Sequence, residues 1–233
     1  MSSSISLIAA VAVATLLVAC PSATPRPNGM HDVAGGYPGV LRSPTALPGD
    51  YTWQQRVTAQ WGPDGERRGF DAALEMNGEK MLLLGLTPMG TKAFYIVQIG
   101  LEVELHNESG HPIPFAPRYV MLDIQRVLFP WFEAGSSAPL DGTRETTVPD
   151  DRGGETVTER YLDGKLVERC FTRVVRPPEG EICVTYKGWE PGRVAARRAV
   201  LSNGWYGYRL EVETPHETRI DPQPPATPID RGH

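Results

Sequence analysis

Across the middle of the chain, apolar and polar residues alternate with a period of two. In residues 51–61, Trp53, Val57, Ala59 and Trp61 fall on one side, and Gln54, Arg56, Thr58 and Gln60 on the other. Residues 70–77 repeat this with Phe70, Ala72, Leu74 and Met76 on the apolar side. Residues 101–106 and 206–213 do so again, the latter with Tyr206, Tyr208, Leu210 and Val212. Asn77-Gly78, Asp163-Gly164 and Asn203-Gly204 punctuate these runs, and turn signals about ten residues apart mean hairpins. An antiparallel sheet follows. Two runs differ: 80–86 (KMLLLGL) and 92–99 (KAFYIVQI, with Phe94 and Ile96) are apolar on both sides, so both faces of the sheet are expected to be covered there.

One stretch carries the helical period instead. In 119–131 (YVMLDIQRVLFPW), Val120, Met121, Ile124, Val127 and Leu128 fill an arc of about 120°, while Leu122 and Phe129 fall together on the opposite side. Pro117 suits the first turn, where its missing N–H has no partner to lose, and Pro130 stops the helix. At about 13 residues it is too short to span a bilayer. Apolar on two faces, with Asp123 and Gln125 at the borders, it reads as a helix between the sheet and something else.

Both ends of the chain lack either period. Residues 20–49 and 215–233 are rich in Pro, Gly, Ser and Ala, the composition of a flexible tether and a disordered tail around a domain at 50–214. Residues 1–19 hold an apolar run of about 15 residues, the length of a signal-peptide core. The run ends in Leu17-Val18-Ala19-Cys20, which resembles the bacterial lipobox, although "MSSSIS" has none of the usual basic residues. The resemblance implies cleavage before Cys20 and acylation of it. Pro21, in place of an inner-membrane retention aspartate, points to the periplasmic face of an outer membrane in a Gram-negative cell.

Charge and cysteine content narrow the function. The formal net charge of -5 gives no support for binding nucleic acid through phosphate neutralisation. Cys170 and Cys183 form an even pair in an exported domain, flanking strand-like arms around Pro-Pro-Glu-Gly; a disulfide is favoured over a zinc site, for which further ligands at suitable spacing are missing. His106, Glu108 and His111 match no helix face and read as a solvated turn. Asp150 and Asp151 lack an EF-hand's alternating ligands. Ser136 and Ser137 lack a nucleophile elbow, and Arg193, Arg197 and Arg198 read as an exposed strand face. No cofactor, metal or catalytic group is expected, and the protein is not expected to be an enzyme.

The order of three segments, LLLGLTPMGTKAFYI, then VMLDIQRVLFPW, then VLSNGWYGYRLEVET, resembles the domain-of-unknown-function 3261 family of bacterial lipoproteins, over about residues 48–214. That family is similar in layout to the lipoprotein-localisation proteins LolA and LolB. The resemblance implies an α+β, mainly antiparallel β fold: an open half-barrel sheet with a short helical lid over a hydrophobic cavity for acyl chains. It also implies a setting near aryl-polyene and fatty-acid-type envelope lipids. Trp53, Phe94, Ile96, Leu122, Asp123, Gln125 and Phe129 are the expected cavity and lid residues, and Leu140 the candidate for a protruding leucine. The expected partners are the outer membrane through the anchor, an acyl-bearing ligand and an unspecified envelope protein. The alternative is a non-catalytic envelope scaffold whose half-barrel is filled by its own side chains.

Overall fold

A computed structural model describes residues 36–62, 65–109, 116–133, 136–150, 153–173 and 180–220. The signal peptide, Cys20, His111 and Asp151 lie outside the described residues. Five strands come first: β1 (Asp50–Trp61), β2 (Arg67–Asn77), β3 (Lys80–Leu86), β4 (Lys92–Ile99) and β5 (Glu102–Asn107). Helix α1 (Pro117–Leu128) follows. Six more strands complete the described residues: β6 (Gly142–Val148), β7 (Glu155–Leu162), β8 (Lys165–Arg173), β9 (Ile182–Lys187), β10 (Arg198–Asn203) and β11 (Tyr208–Ile220). They form one open antiparallel sheet of 11 strands in the order β5-β4-β3-β2-β1-β11-β10-β9-β8-β7-β6. Among the described residues the fold is therefore mostly β, and the α part is a single helix of 12 residues.

The topology explains what the helix does. The chain winds out from β1 to one edge at β5 and must then reach the opposite edge at β6. It crosses by α1. Eight strand steps of about 4.8 Å would separate β4 from β7 by about 38 Å in a flat sheet. Yet neighbouring residues of the helix bond to both: Gln125 to Gln98 on β4, and Arg126 to Glu155 on β7, each at 3.0 Å. The sheet must curl around α1, which is the half-barrel in physical terms.

The inner face follows the register. Tyr51, Trp53, Val57 and Ala59 on β1 sit beside Ala72, Leu74 and Met76 on β2, then Met81 and Leu83 on β3 and Ile96 on β4, all buried. On the outer face of β3 and β4, Leu82, Leu84, Tyr95 and Val97 are half-buried among Glu75, Glu104 and His106 of the flanking strands. Among the described residues the cover on that side is therefore not a second layer but neighbouring side chains. At Asp163 (φ 51°) and Gly164 (φ 69°), two consecutive left-handed residues make the tight β7–β8 turn that this dipeptide signals. Cys170 and Cys183 are directly opposed on β8 and β9 and joined by a disulfide.

Two boundaries differ from the sequence reading. Residues 36–49 form a strap: Tyr37, Leu41 and Leu47 are buried in the core, and Pro44–Ala46 makes one 3-10 turn. At the other end β11 continues through Ile220, because residues 216–220 pair with 50–54 of β1. Segments with linker composition become ordered here because the inner face of the sheet supplies partners that local periodicity does not reveal.

Candidate functional site

The buried face of α1 is built largely of polar groups. Arg126 is fully buried and meets two carboxylates, Asp123 one turn back on the helix and Glu155 on β7, each at 3.0 Å. It also donates to the Pro38 carbonyl at 2.6 Å and lies 4.8 Å from the Tyr37 ring and 5.2 Å from Phe171. Asp123 in turn accepts hydrogen bonds from the Tyr37 and Tyr208 hydroxyls. Asn203 donates to the Tyr37 oxygen at 2.5 Å. Burial pushes the carboxyls of Asp123 and Glu155 above their ordinary range, with Arg126 pulling the other way. Burial and the adjoining Asp123 raise both tyrosine hydroxyls well above their usual value.

A second cluster extends this one along the sheet. Glu159 on β7 accepts from Arg169 on β8 (Nε, 2.7 Å), from Arg144 on β6 (2.7 Å) and from the Tyr161 hydroxyl (2.6 Å). Burial works against its charge, but Arg169, Tyr161 and Arg144 together hold its carboxyl below the ordinary value. Arg169 and the Tyr186 hydroxyl then close the C-terminal end of α1, donating to the Arg126 carbonyl at 2.8 Å and the Val127 carbonyl at 3.0 Å. Trp131 donates to the Gln125 carbonyl at 3.3 Å. The Arg126 and Val127 carbonyls at the end of the helix thus find side chains from the sheet, where the helix dipole favours positive charge, while the Gln125 carbonyl accepts from Trp131 in addition to the Phe129 N–H. Burial raises the Tyr186 hydroxyl to about 12, so it donates throughout the physiological range.

The third group ties the strap to helix and sheet. Gln125 accepts from the Arg42 backbone N–H at 2.8 Å and donates to the Arg42 carbonyl at 2.7 Å. Gln98 donates to the same carbonyl at 2.7 Å and accepts from Gln125. Gly39, at φ 95°, passes so close that a Cβ would lie 2.5 Å from the Glu155 carboxylate and 2.6 Å from the Arg126 guanidinium. Any other residue there, strained at this φ, would have to displace either the ion pair or the strap itself.

Of the residues expected at the cavity, Trp53, Ile96, Leu122, Asp123, Gln125 and Phe129 are buried and Phe94 is half-buried. Leu122 and Phe129 project between Gln125 and Arg126, the two side chains that hold the strap, and are core at 1% and 0% exposure. The half-covered side of the helix is the other one, with Val120, Ile124 and Val127. The expected apolar arc is therefore split, with Met121 and Leu128 buried alongside Leu122 and Phe129, because the polar groups expected at the borders point inward. Sequence reasoning missed Tyr37, Arg126, Glu155, Glu159 and Arg169. The one local signal was the Asp123–Arg126 spacing of three, which puts opposite charges on one helix face.

The other motifs have structural partners. His106 stacks on Tyr95 at 4.4 Å and Glu108 pairs with Lys92. Arg193 donates to the Thr214 carbonyl, while Arg197 pairs with Glu190 and Arg198 with Glu211. Leu140 is 72% exposed beside the β7–β8 turn. Among the described residues, the one trio with metal-ligand geometry is Cys170, Glu181 and Cys183, whose sulfurs are joined to each other. No helix among these residues is long and apolar enough to cross a membrane.

The family model described as "Protein of unknown function (DUF3261)" matches residues 52–216, from β1 to the middle of β11. The chain belongs to this family. No curated protein matches it. Among solved structures it is similar to a LolA-superfamily protein from Nitrosomonas europaea (13% identity, TM-score 0.44, 78% of this chain and 90% of the other). It is also similar to an outer-membrane lipoprotein-sorting protein domain from Vibrio parahaemolyticus (11%, TM-score 0.42, 75% and 88%). A third is the lipoprotein LppX of Mycobacterium tuberculosis (10%, TM-score 0.32, 74% and 88%). In this DUF3261 chain the matched region contains the helix and the whole buried polar face but not the strap, which precedes it.

Proposed function

We propose that the protein is a lipid-anchored envelope protein, held through Cys20 at the periplasmic face of an outer membrane, that binds an acyl-bearing ligand. The ligand is lipid or lipoprotein-like, of fatty-acid or aryl-polyene type, and the protein carries it without catalysing a reaction on it. The supporting observation is the half-covered apolar flank of the helix. Val120, Ile124 and Val127 are partly exposed, and α1 lies against β4 and β5, whose inner-face residues Phe94, Val103 and Leu105 are also half-buried. Apolar surface left open between a helix and a curled sheet suits a flexible chain of methylenes, each contributing about 0.8 kcal/mol when buried.

The test uses native mass spectrometry and a fluorescent fatty acid. Lipid should co-purify with the protein, and Ile124→Glu should lower fatty-acid uptake at least tenfold while the thermal midpoint stays close to wild type. Unchanged uptake in this variant overturns the assignment of the flank. Anchoring is tested separately: Cys20→Ala should release the protein from membranes washed with high salt, since acyl chains rather than charge would hold it.

A second reading, a non-catalytic scaffold, is favoured by a separate observation. The strap and the buried ion network occupy the space between the helix and the β6–β11 half of the sheet. A clean apo mass with no fatty-acid uptake would select it.

A further inference from the structure

The domain holds the strap through the Tyr37 and Arg42 side chains, which bond Asp123, Asn203 and the Pro130 carbonyl, and also through its backbone. Gln125 satisfies both the N–H and the carbonyl of Arg42, Gln98 adds a second donor to that carbonyl, and Arg126 takes the carbonyl of Pro38. Bonds to main-chain groups carry no side-chain specificity, so any extended segment of suitable shape can make them. Three features set that shape. Tyr37 fills an aromatic site between Tyr119 (4.7 Å) and Tyr206 (5.2 Å). Gly39 allows close approach to the Arg126–Glu155 pair, and Leu41 is buried at 1% exposure. All of the groups that grip the strap lie inside the region that defines the family, and the strap itself lies outside it.

We propose that this is a peptide-binding slot, filled in cis by residues 37–42, which an extended segment of another polypeptide can occupy in trans. Resting on the acyl-binding reading, it specifies the class of ligand as an acylated protein. The apolar flank takes the acyl chain and the slot takes the Pro- and Gly-rich linker that follows the acylated residue. The strap is the same kind of linker, lying between Cys20 and the domain, so it competes for the slot as an internal substitute.

The experiment uses the full-length chain and a synthetic peptide of residues 36–47, without an acyl group and labelled for fluorescence anisotropy. Gly39→Ala in the protein should dislodge the cis strap while leaving Gln98, Gln125 and Arg126 in place. The labelled peptide should then bind this variant at least tenfold more tightly than wild type. Adding Gln125→Ala to the variant should remove the gain, and so should R42P in the peptide, which deletes the N–H that Gln125 accepts. Equal binding to wild type and variant, or none to either, overturns the slot. If Gly39→Ala fails to fold, hydrogen exchange on wild type decides: excess unlabelled peptide should deprotect residues 37–42 of the strap, and unchanged protection overturns the proposal. The peptide has no acyl chain, so failure here leaves fatty-acid uptake as a separate result, and the two readings fail independently.

Discussion

The two halves of the sheet do different work on the same helix. From β1 to β5 the inner face is mainly aliphatic and aromatic, with Trp53, Leu74, Met76, Met81, Leu83 and Ile96 buried and Gln55 on β1 and Gln98 on β4 as polar exceptions. From β6 to β8 it carries Arg144, Glu155, Glu159 and Arg169, three of them at 5% exposure or less. The first half could hold any apolar neighbour. The second fixes α1 in one orientation, because a buried charge tolerates only the arrangement that pairs it. The difference teaches where specificity resides: packing supplies the core, and the ion network says which face of the helix and which strap belong there.

The comparison is broken most severely at Arg126. Arg126→Met keeps the volume but leaves the carboxylates of Asp123 and Glu155 buried without their cation, and should cost about 4 kcal/mol in urea denaturation at neutral pH. The cost should shrink as pH falls, since both carboxyls are held above their ordinary range and become neutral early. Leu74→Ala, in the apolar half, should cost about 3 kcal/mol through lost burial and a cavity. Its cost should not depend on pH. Two variants with the same pH response would mean that the halves are not distinct.

How much of this was legible follows the same division. Alternation placed Phe70, Ala72, Leu74 and Met76 on the inner face, because their polar neighbours leave no ambiguity. On β7 the inner residues are Glu155, Val157, Glu159 and Tyr161 and the outer ones Thr156, Thr158 and Arg160, so the inner face is itself half charged and the period is weak. The choice is made by Arg126, Arg144 and Arg169, which are distant in sequence. The helix was legible in its ends, Pro117 and Pro130, but not in its orientation: counting apolar residues favours Val120, Ile124 and Val127, whereas Asp123 and Arg126 bury each other. The strap was illegible for a related reason. Its Pro and Gly content is that of a linker, and Tyr37 and Arg42 are ordered by partners more than 80 residues away.

A smaller effect tests whether the disulfide belongs to the rigid half. Cys170 and Cys183 join β8 to β9 across a separation of 13 residues, next to Arg169 and Val184 of the inner face. Removing the bridge should cost about 2–3 kcal/mol by releasing the unfolded chain. Hydrogen exchange should quicken on β8 and β9 more than on β2 and β3. Uniform loosening of the sheet would show that its two halves unfold as one unit.

The smallest effect sets the two buried clusters against each other. Glu159 has a lowered folded-state carboxyl, so it contributes stability above the ordinary carboxylate range, and that contribution is lost as pH falls through its folded value. Asp123 is raised, so the sign reverses: its contribution is complete below its unfolded value and is lost as pH rises through its folded one. In Asp123→Asn the amide keeps an oxygen for the Tyr37 hydroxyl but no longer titrates. Stability measured against pH should therefore decline less than in wild type as pH rises out of the carboxylate range. In Glu159→Gln it is the acid limb that should flatten, at a constant cost from the unpaired Arg169. If Asp123→Asn instead flattens the acid limb, the Asp123 carboxylate is stabilised by Arg126 and the two tyrosines more than burial opposes it, and the strap is then held by charge rather than in spite of it.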